Sequence, residues 1–142
     1  MGVNMSDIYS SDKRSKIMAR VKGTDTQLEI KVRKTLFSLG YRFRKNDRRL
    51  PGKPDIVLPK YKCVIFINGC FWHGHKNCTK ASIPKTRTEW WKKKINETIE
   101  RDKANVEKLQ LLGWKVLTVW ECDLKRDYLE CINKLVNELV DD

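Results

Sequence analysis

The chain has 142 residues, a length that suits one domain with a hydrophobic core of its own. It contains no apolar run near the roughly eighteen residues that a membrane-spanning helix needs, and its N-terminus lacks the pattern of a signal peptide. Thirty Lys and Arg residues against eighteen Asp and Glu give a formal net charge of +12, which indicates a polyanionic partner, nucleic acid above all.

The cysteine count also limits the chemistry. Five cysteines in a chain without a secretion signal favour metal binding or burial over disulfides. Four residues on or beside apolar patterns are predicted to lie in the core: Cys63, Cys131, Trp114 and Trp120. Without a signal peptide or a membrane-spanning run, the protein is expected to be cytoplasmic. Because the sequence has no repeats or linkers, residues 1–142 are expected to form a single domain, and the lack of heptads favours a monomer.

The first predicted helices lie near the N-terminus. A Ser-Ser-Asp sequence at residues 10–12 is suited to cap a short basic helix over residues 13–21. Residues 1–22 are therefore predicted to form an arm, which either lies on the partner or is a solvated helix. Thr26 and Glu29 have the spacing of a capping box before a second helix. Apolar residues in that helix repeat at helical spacing, and a glycine follows to end it: Leu28, Val32, Leu36, Leu39 and then Gly40.

Three predicted strands follow. Residues 41–44 alternate as a strand does, and a turn rich in Pro and Gly at residues 50–54 precedes a short strand over residues 55–58. Residues 63–67 form a nearly continuous apolar run, which is typical of a strand covered on both faces.

A long helix, a strand and a final helix complete the predicted order. Thr86 and Glu89 match a second capping box, from which a helix is predicted to run to about Leu112. Residues 116–120 are predicted to form another buried strand. A C-terminal helix is marked by Leu129, Ile132, Leu135, Val136 and Leu139. This order predicts an α/β fold in which helices flank a central sheet.

Ligand-type residues are concentrated in one loop. Cys70, His75 and Cys78 lie within nine residues, a spacing that lets one loop wrap a tetrahedral zinc ion. Cys122 is the candidate fourth ligand, because it follows a predicted strand whose end can lie beside that loop. A closed site with four ligands is structural. On spacing alone His73 is a rival ligand, and buried thiols without a metal are the alternative.

Three carboxylates stand in informative contexts. Asp55 follows Pro54, whose fixed backbone aims the next side chain, and it suits a hard cation such as Mg²⁺ or a turn-stabilising role equally well. Asp102 falls within the apolar stripe of the long helix, which predicts a buried carboxylate with a partner or a structural salt bridge. Glu29 is explained locally by the capping box.

One histidine and two pairs of aromatic residues are typical of an enzyme that acts on nucleic acid. If the other histidine binds zinc, His73 remains as the candidate base near neutral pH. Phe71 and Trp72 stand among polar and glycine residues, and Trp90 and Trp91 open the long helix among cations. Aromatic side chains in such surroundings suit stacking on or between bases, with core packing as the alternative.

Six segments of the chain also form a recognisable set when taken in order. They are Leu50-Pro51-Gly52-Lys53-Pro54-Asp55, Cys63-Val64-Ile65-Phe66, Gly69-Cys70-Phe71-Trp72-His73, Thr86-Arg87-Thr88-Glu89, Glu100-Arg101-Asp102, and Gly113-Trp114 with Val119-Trp120-Glu121-Cys122. Together they resemble the very short patch repair (Vsr) DNA mismatch endonucleases, and the resemblance runs from about Ser11 to Cys122.

This resemblance implies a restriction-endonuclease-like fold, with a central mixed sheet flanked by helices and a structural zinc site. It implies a strand-specific nick on the 5′ side of the thymine in T:G mismatches of double-stranded DNA, which arise when 5-methylcytosine deaminates. It also implies a bacterial enzyme associated with the nucleoid through DNA, with mismatch-repair proteins as further candidate partners.

The resemblance also assigns roles to individual residues. Mg²⁺ would bind Asp55 and the main-chain carbonyl of Ile67. His73 would act as the base or activate water, with Asp102 and Glu29 in support. The Zn²⁺ ligands would be Cys70, His75, Cys78 and Cys122. The aromatic wedge inserted beside the mismatch would be Phe71, Trp72 and Trp91.

Two departures from the family pattern bear on the mechanism. Asn68 stands where familiar members carry a histidine that contributes to the site, and an amide forms hydrogen bonds but carries no proton. The zinc loop is also one residue longer at residues 75–78 than in some relatives. Two alternatives therefore remain, a related nuclease with another target and a mismatch-binding protein that does not cut. Asp102 on its apolar stripe opposes the second, because binding alone needs no buried acid.

Overall fold

The computed structural model describes residues 26–76 and 78–140. The predicted arm, residues 1–22, lies outside the described residues. Within them the elements follow the predicted order, with one additional short α-helix and two 3₁₀ helices, Pro59–Tyr61 and Thr79–Ala81. The α-helices and strands are α1 Gln27–Ser38, β1 Arg44–Lys45, β2 Ile56–Leu58, β3 Cys63–Asn68, α2 Thr88–Leu111, β4 Lys115–Trp120, α3 Glu121–Arg126 and α4 Tyr128–Val140. None of these helices has the length and apolar character needed to cross a membrane.

The four strands form one mixed sheet in the order β1-β2-β3-β4. β2 pairs antiparallel with β1 and β3, whereas β3 and β4 run parallel. In that parallel pair Asn68 lies opposite Trp120, so both strands end at the same edge of the sheet. The loop after β3 and the start of α3 are therefore neighbours.

Helices cover both faces of the sheet. Successive side chains of a strand point to opposite faces, and the central strands carry apolar side chains on both. On one face Ile56, Ile65 and Ile67 pack in a cluster with residues of α1, α3 and α4. On the other face Val57 and Val64 pack against Leu109 of α2. The predicted α/β arrangement of a mixed sheet flanked by helices is thus confirmed. Cys63 is fully buried in the first cluster and Cys131 packs against it, as predicted.

The two predicted capping boxes have different outcomes. At α1 the box is confirmed, since the Glu29 amide donates to the Thr26 hydroxyl and the Thr26 amide donates to the Glu29 carboxylate, both at 3.3 Å. At α2 it is wrong. The helix begins at Thr88 after a left-handed Arg87 (φ +56°), and the Thr88 hydroxyl donates backwards to the carbonyl of Lys85 at 2.9 Å. The chain thus turns into the helix one residue after the predicted cap at Thr86.

Two strand predictions also need correction. Of the segment predicted as a strand over residues 41–44, only Arg44 pairs, and the observed strand is Arg44–Lys45. Tyr41 and Phe43 instead pack against the core ahead of the strand. The strand predicted to be buried over residues 116–120 has one buried residue, Val119, because β4 lies at the edge of the described sheet.

Candidate active site and metal centre

Asp55 lies immediately before β2, at the edge of the sheet where β3 ends. Its Oδ2 accepts a hydrogen bond from the backbone amide of Ile67 at 2.6 Å. Burial of the side chain, and then the nearby Glu29 carboxylate, raise the pKa of Asp55 to about 7 against the opposing effects of Ile67, Arg33 and His73. The Asp55 side chain is partly exposed, and a cation bound beside it would favour its charged form.

Arg33 lies buried beneath Asp55 with 5% of its surface exposed. Its Nη2 donates to the Asp55 carbonyl oxygen at 3.3 Å and to the Glu29 carboxylate and the Asn46 side chain at 3.4 Å each. Glu29 therefore has two structural tasks, the α1 cap and this buried ion pair, and it also lies close enough to Asp55 to affect its pKa. Sequence analysis did not identify Arg33, although its four-residue spacing from Glu29 was an available signal.

His73 and Asp102 form a close pair. The His73 Nδ1 lies 2.6 Å from the Asp102 Oδ2, and the two side chains are 28% and 36% exposed. Asp102 therefore has a histidine partner as predicted. The predicted burial is wrong, because Asp102 lies where the loop after β3 covers only part of α2. A carboxylate at Nδ1 fixes the neutral imidazole with its proton on that nitrogen, and Nε2 then accepts protons.

The loop that carries His73 lies directly against α2. At Gly74, where φ is +58°, an added Cβ would lie 2.7 Å from Cδ1 of Ile99 and 2.9 Å from Cγ2 of Ile95. Only glycine combines this left-handed conformation with so close an approach. The contact holds His73 within reach of Asp102, which is three residues along α2 from Ile99.

The four predicted zinc ligands come together. The ligand atoms of Cys70, His75, Cys78 and Cys122 all lie within 4.8 Å of one another. A tetrahedron with Zn–S bonds of about 2.3 Å has edges of about 3.8 Å, so small movements would close the group around an ion. Burial raises the pKa of the Cys70 thiol to about 12, and a bound cation would reverse that effect. These four residues fit zinc, whereas the rival ligand His73 is occupied by Asp102.

Trp120 has a position that sequence analysis missed. Its ring stacks on the His75 imidazole with centroids 4.0 Å apart and planes at 7°. It also lies in edge-to-face geometry with the His73 ring, with centroids 6.4 Å apart and planes at 75°. The predicted core position is therefore wrong. An aromatic residue at the end of a strand has the same sequence pattern whether it faces the core or a loop, and no local signal distinguished the two.

Phe71, Trp72 and Trp91 pack as a cluster of three rings, hereafter the aromatic cluster. Their centroids are separated by 5.3 to 5.6 Å, with tilted and edge-to-face geometries. All three are partly buried. Trp90 extends the cluster through an edge contact with Trp91 at 4.8 Å and is 41% exposed. The loop after β3 and the start of α2 thus present one aromatic surface.

Asn68 ends β3 beside this loop and is nearly buried, with 9% exposure. Its position opposite Trp120 places it between Asp55, whose partner Ile67 precedes it, and the zinc ligand Cys70. The site is thus assembled from the ends of β3 and β4, the start of β2 and one face of α2.

Comparison with known proteins gives a consistent result. The family model described as DNA mismatch endonuclease Vsr matches residues 6–80. The Type II nicking enzyme V.NmeAIP of Neisseria meningitidis serogroup A is 50% identical over 139 residues, which cover 96% of this chain and 99% of the relative. The DNA mismatch endonuclease Vsr of Escherichia coli K12 is 46% identical over 121 residues, which cover 85% and 77%. The Type II nicking enzyme V.XorIIP of Xanthomonas oryzae pv. oryzae is 42% identical over 120 residues, which cover 84% and 88%.

Proposed function

The chain belongs to the Vsr family of DNA mismatch endonucleases, and on that basis we propose that it nicks the 5′ side of the thymine in T:G mismatches left by deaminated 5-methylcytosine. It is a DNA endonuclease, so its substrate is DNA. The observation that carries the narrower proposal is the pair of His73, on the loop after β3, and Asp102, on α2, which lie 2.6 Å apart. The same loop and helix also carry the aromatic cluster. Cutting and mismatch-probing groups then share one rigid support.

In this proposal the whole chain is one restriction-endonuclease-like domain that acts as a monomer. The mixed four-stranded sheet with helices on both faces supports that architecture. Exposed cations at the start of α2 would bind the DNA backbone beside the aromatic surface, consistent with the net charge of +12. They are Lys85, Arg87, Lys92, Lys93 and Lys94.

Asp55 and the main-chain carbonyl of Ile67 would hold Mg²⁺. The support is the Asp55 carboxylate, because burial and the nearby Glu29 carboxylate raise its pKa to about 7 and a bound cation would favour its charged form. When bound, the ion supplies positive charge against the negative charge that develops on the phosphate. Glu29 adds negative charge to the cation site, and Arg33 holds both acidic segments in place through its three hydrogen bonds.

His73 would be the base. With Nδ1 directed at Asp102, its Nε2 is the nitrogen that accepts a proton from the attacking water. The Asp102 carboxylate then stabilises the imidazolium that forms. Asn68 would orient water or phosphate by hydrogen bonding, without taking a proton, in place of the histidine that familiar members carry.

The aromatic cluster would be the wedge. Insertion of Phe71, Trp72 and Trp91 beside the mismatch costs base stacking, and a mismatched pair loses less than a matched one. Zinc bound by the four clustered ligands would fix the loop that carries Phe71 and Trp72. Loop rigidity thus serves both recognition and cutting.

Replacement of Asp102 with Asn is expected to slow nicking by about 10²- to 10⁴-fold, because the amide can donate to His73 and favour the wrong tautomer. Single-turnover nicking of a T:G duplex measures the effect, and duplex affinity should stay within about twofold since Asp102 contacts no base in this proposal. Glu107→Gln removes an exposed carboxylate from the same helix and serves as the matched control. An Asp102→Asn rate close to that of the control would remove Asp102 from the mechanism.

A panel of labelled duplexes tests the function as a whole. Duplexes with T:G, A:C, U:G or fully matched pairs are incubated with Mg²⁺ or with EDTA. We expect Mg²⁺-dependent nicking at T:G, on the thymine strand and on its 5′ side. Cutting at other sites would instead support a nuclease with another target, and tight binding to T:G without cutting would support a mismatch-binding protein.

A further inference from the structure

Three successive residues at the junction of β4 and α3 contact the zinc loop, residues 69–78. Trp120 stacks on His75 at 4.0 Å, Glu121 Oε1 accepts a hydrogen bond from the Cys70 amide at 3.4 Å, and Cys122 joins the ligand cluster. The Trp120 ring also lies beside the ring of His73, with centroids 6.4 Å apart. It therefore touches both the metal centre and the proposed base.

The surroundings of Trp120 differ from those of a core residue. It belongs to neither apolar cluster on the two faces of the sheet, whereas Trp114, at the other end of the same strand, packs against the cluster that includes Leu109. The ring contacts of Trp120 are with the chain's two histidines. An indole in this position is placed to restrain the orientation of the two imidazole rings, and it contributes little to the apolar packing of the sheet.

The hydrogen bond to Asp102 acts on one atom of the His73 ring, Nδ1. A single hydrogen bond leaves some rotation about the Cα–Cβ and Cβ–Cγ bonds, on which the position of Nε2 depends. An edge-to-face contact at 6.4 Å lies within the favourable range for aromatic pairs and limits that rotation. Because α2 supplies Asp102 and β4 supplies Trp120, the ring is held by two separate elements.

We propose that Trp120 is a positioning residue, which sets the plane of the His73 ring by resting its own ring flat on the zinc ligand His75. Its catalytic consequence rests on the proposed function, since it matters only if His73 is the base. Zinc binding thereby orients His73 through Trp120, in addition to shaping the loop. A proton-accepting nitrogen that points away from the attacking water loses rate even when substrate still binds.

The chain's two histidines allow a direct test in the zinc-loaded protein. In Trp120→Leu we expect the ring C–H resonances of both His73 and His75 to shift in ¹H–¹³C NMR spectra, because the indole ring current is lost. Zinc content should stay at about one ion per chain, since all four ligands remain. The control is Trp114→Leu, which removes an indole from the same strand and should leave both histidine signals in place.

Kinetics supply the second readout. Trp120→Leu is expected to slow single-turnover nicking by about 10- to 100-fold, with duplex affinity within about twofold, the pattern of lost orientation. Trp120→Phe keeps a flat ring and should give a rate between those of Trp120→Leu and the unmodified protein. Trp114→Leu should show neither effect.

Specific outcomes would overturn the inference. They are an unmoved His73 signal or an unchanged nicking rate in zinc-loaded Trp120→Leu, or equal losses of rate and affinity. If Trp120→Leu loses zinc, zinc-loaded Trp120→Phe decides instead, and an unmoved His73 signal in that variant refutes the contact. If the unmodified protein nicks no duplex in the panel, the proposed function fails, while the NMR comparison still decides whether Trp120 orders His73.

Discussion

Asp55→Asn is expected to reduce nicking of a T:G duplex by at least about 10³-fold, the scale of losing a principal electrostatic group from a transition state. Asparagine keeps the shape of the side chain and still offers an oxygen to the Ile67 amide, 2.6 Å away in the parent protein. It lacks the charge that would hold Mg²⁺. The measurement is single-turnover nicking with saturating protein and Mg²⁺, beside duplex binding by the zinc-loaded protein without Mg²⁺.

For the same substitution we also predict the direction in which the stability of the protein changes. Because the folded-state pKa of Asp55 is raised from 3.8 to about 7, its ionisation opposes folding, and stability without Mg²⁺ falls as pH rises through that range. At pH 8 the parent carries this penalty and the variant does not. In zinc-loaded protein without Mg²⁺, the thermal midpoint of Asp55→Asn should therefore equal or exceed that of the parent.

Asp127→Asn is the matched control for both measurements. Asp127 is exposed, and its Oδ1 accepts the Glu130 amide at 3.2 Å, a contact that asparagine can keep. Asp127→Asn should nick at the parental rate. If folded Asp55→Asn lost duplex binding, or kept more than about a tenth of the parental rate, the metal role of Asp55 would be wrong.

The cluster of four metal-type ligands was predictable from the sequence to a greater extent than the rest of the site. Soft ligands with short spacings identify a loop, and Cys122 was the candidate fourth ligand because it follows a predicted strand. The structure supplies what the sequence lacked, the parallel pairing of β3 and β4, which end together. Both histidines lie between the two loop cysteines, so spacing did not distinguish them, whereas in the structure His75 lies with the cysteines and His73 lies beside Asp102 of α2.

Residues whose role depends on tertiary contacts were missed or misjudged. Arg33 touches Asp55 and Asn46, which are distant in sequence, so only its pairing with Glu29 was visible locally. Trp120 was assigned to the core because a strand-end indole fits an apolar pattern. Asp102 follows the apolar stripe of α2, but that stripe runs beyond the core to the loop that it contacts, which leaves the carboxylate 36% exposed.

Cys78→Ser is expected to lower the thermal stability of the protein, its binding to the duplex and its nicking rate. The loss of one thiolate should remove about one zinc per chain, because a structural site with four ligands is closed. The thermal midpoint should fall on the order of 10 °C, the scale for losing a few kcal/mol in a chain of this size. Zinc is measured by atomic absorption, and the midpoint by circular dichroism.

Cys131→Ser separates this effect from the general loss of a thiol. Cys131 is also partly buried, but it lies on α4 and outside the ligand cluster. That variant should retain zinc, with a much smaller change in the thermal midpoint. A folded, metal-free Cys78→Ser protein with full activity would exclude a structural role for the metal.

The comparison of the two site variants is more informative than either alone. The zinc loop carries His73 together with Phe71 and Trp72, so its disorder should weaken duplex binding as well as cutting, and mismatch preference should fall with them. Asp55 lies before β2, outside that loop, and its loss should stop cutting while binding continues. If both variants lost binding equally, recognition and catalysis would depend on one common element. If Cys78→Ser lost cutting alone, the aromatic cluster would hold its position without zinc. Its support would then come from α2 through Trp91.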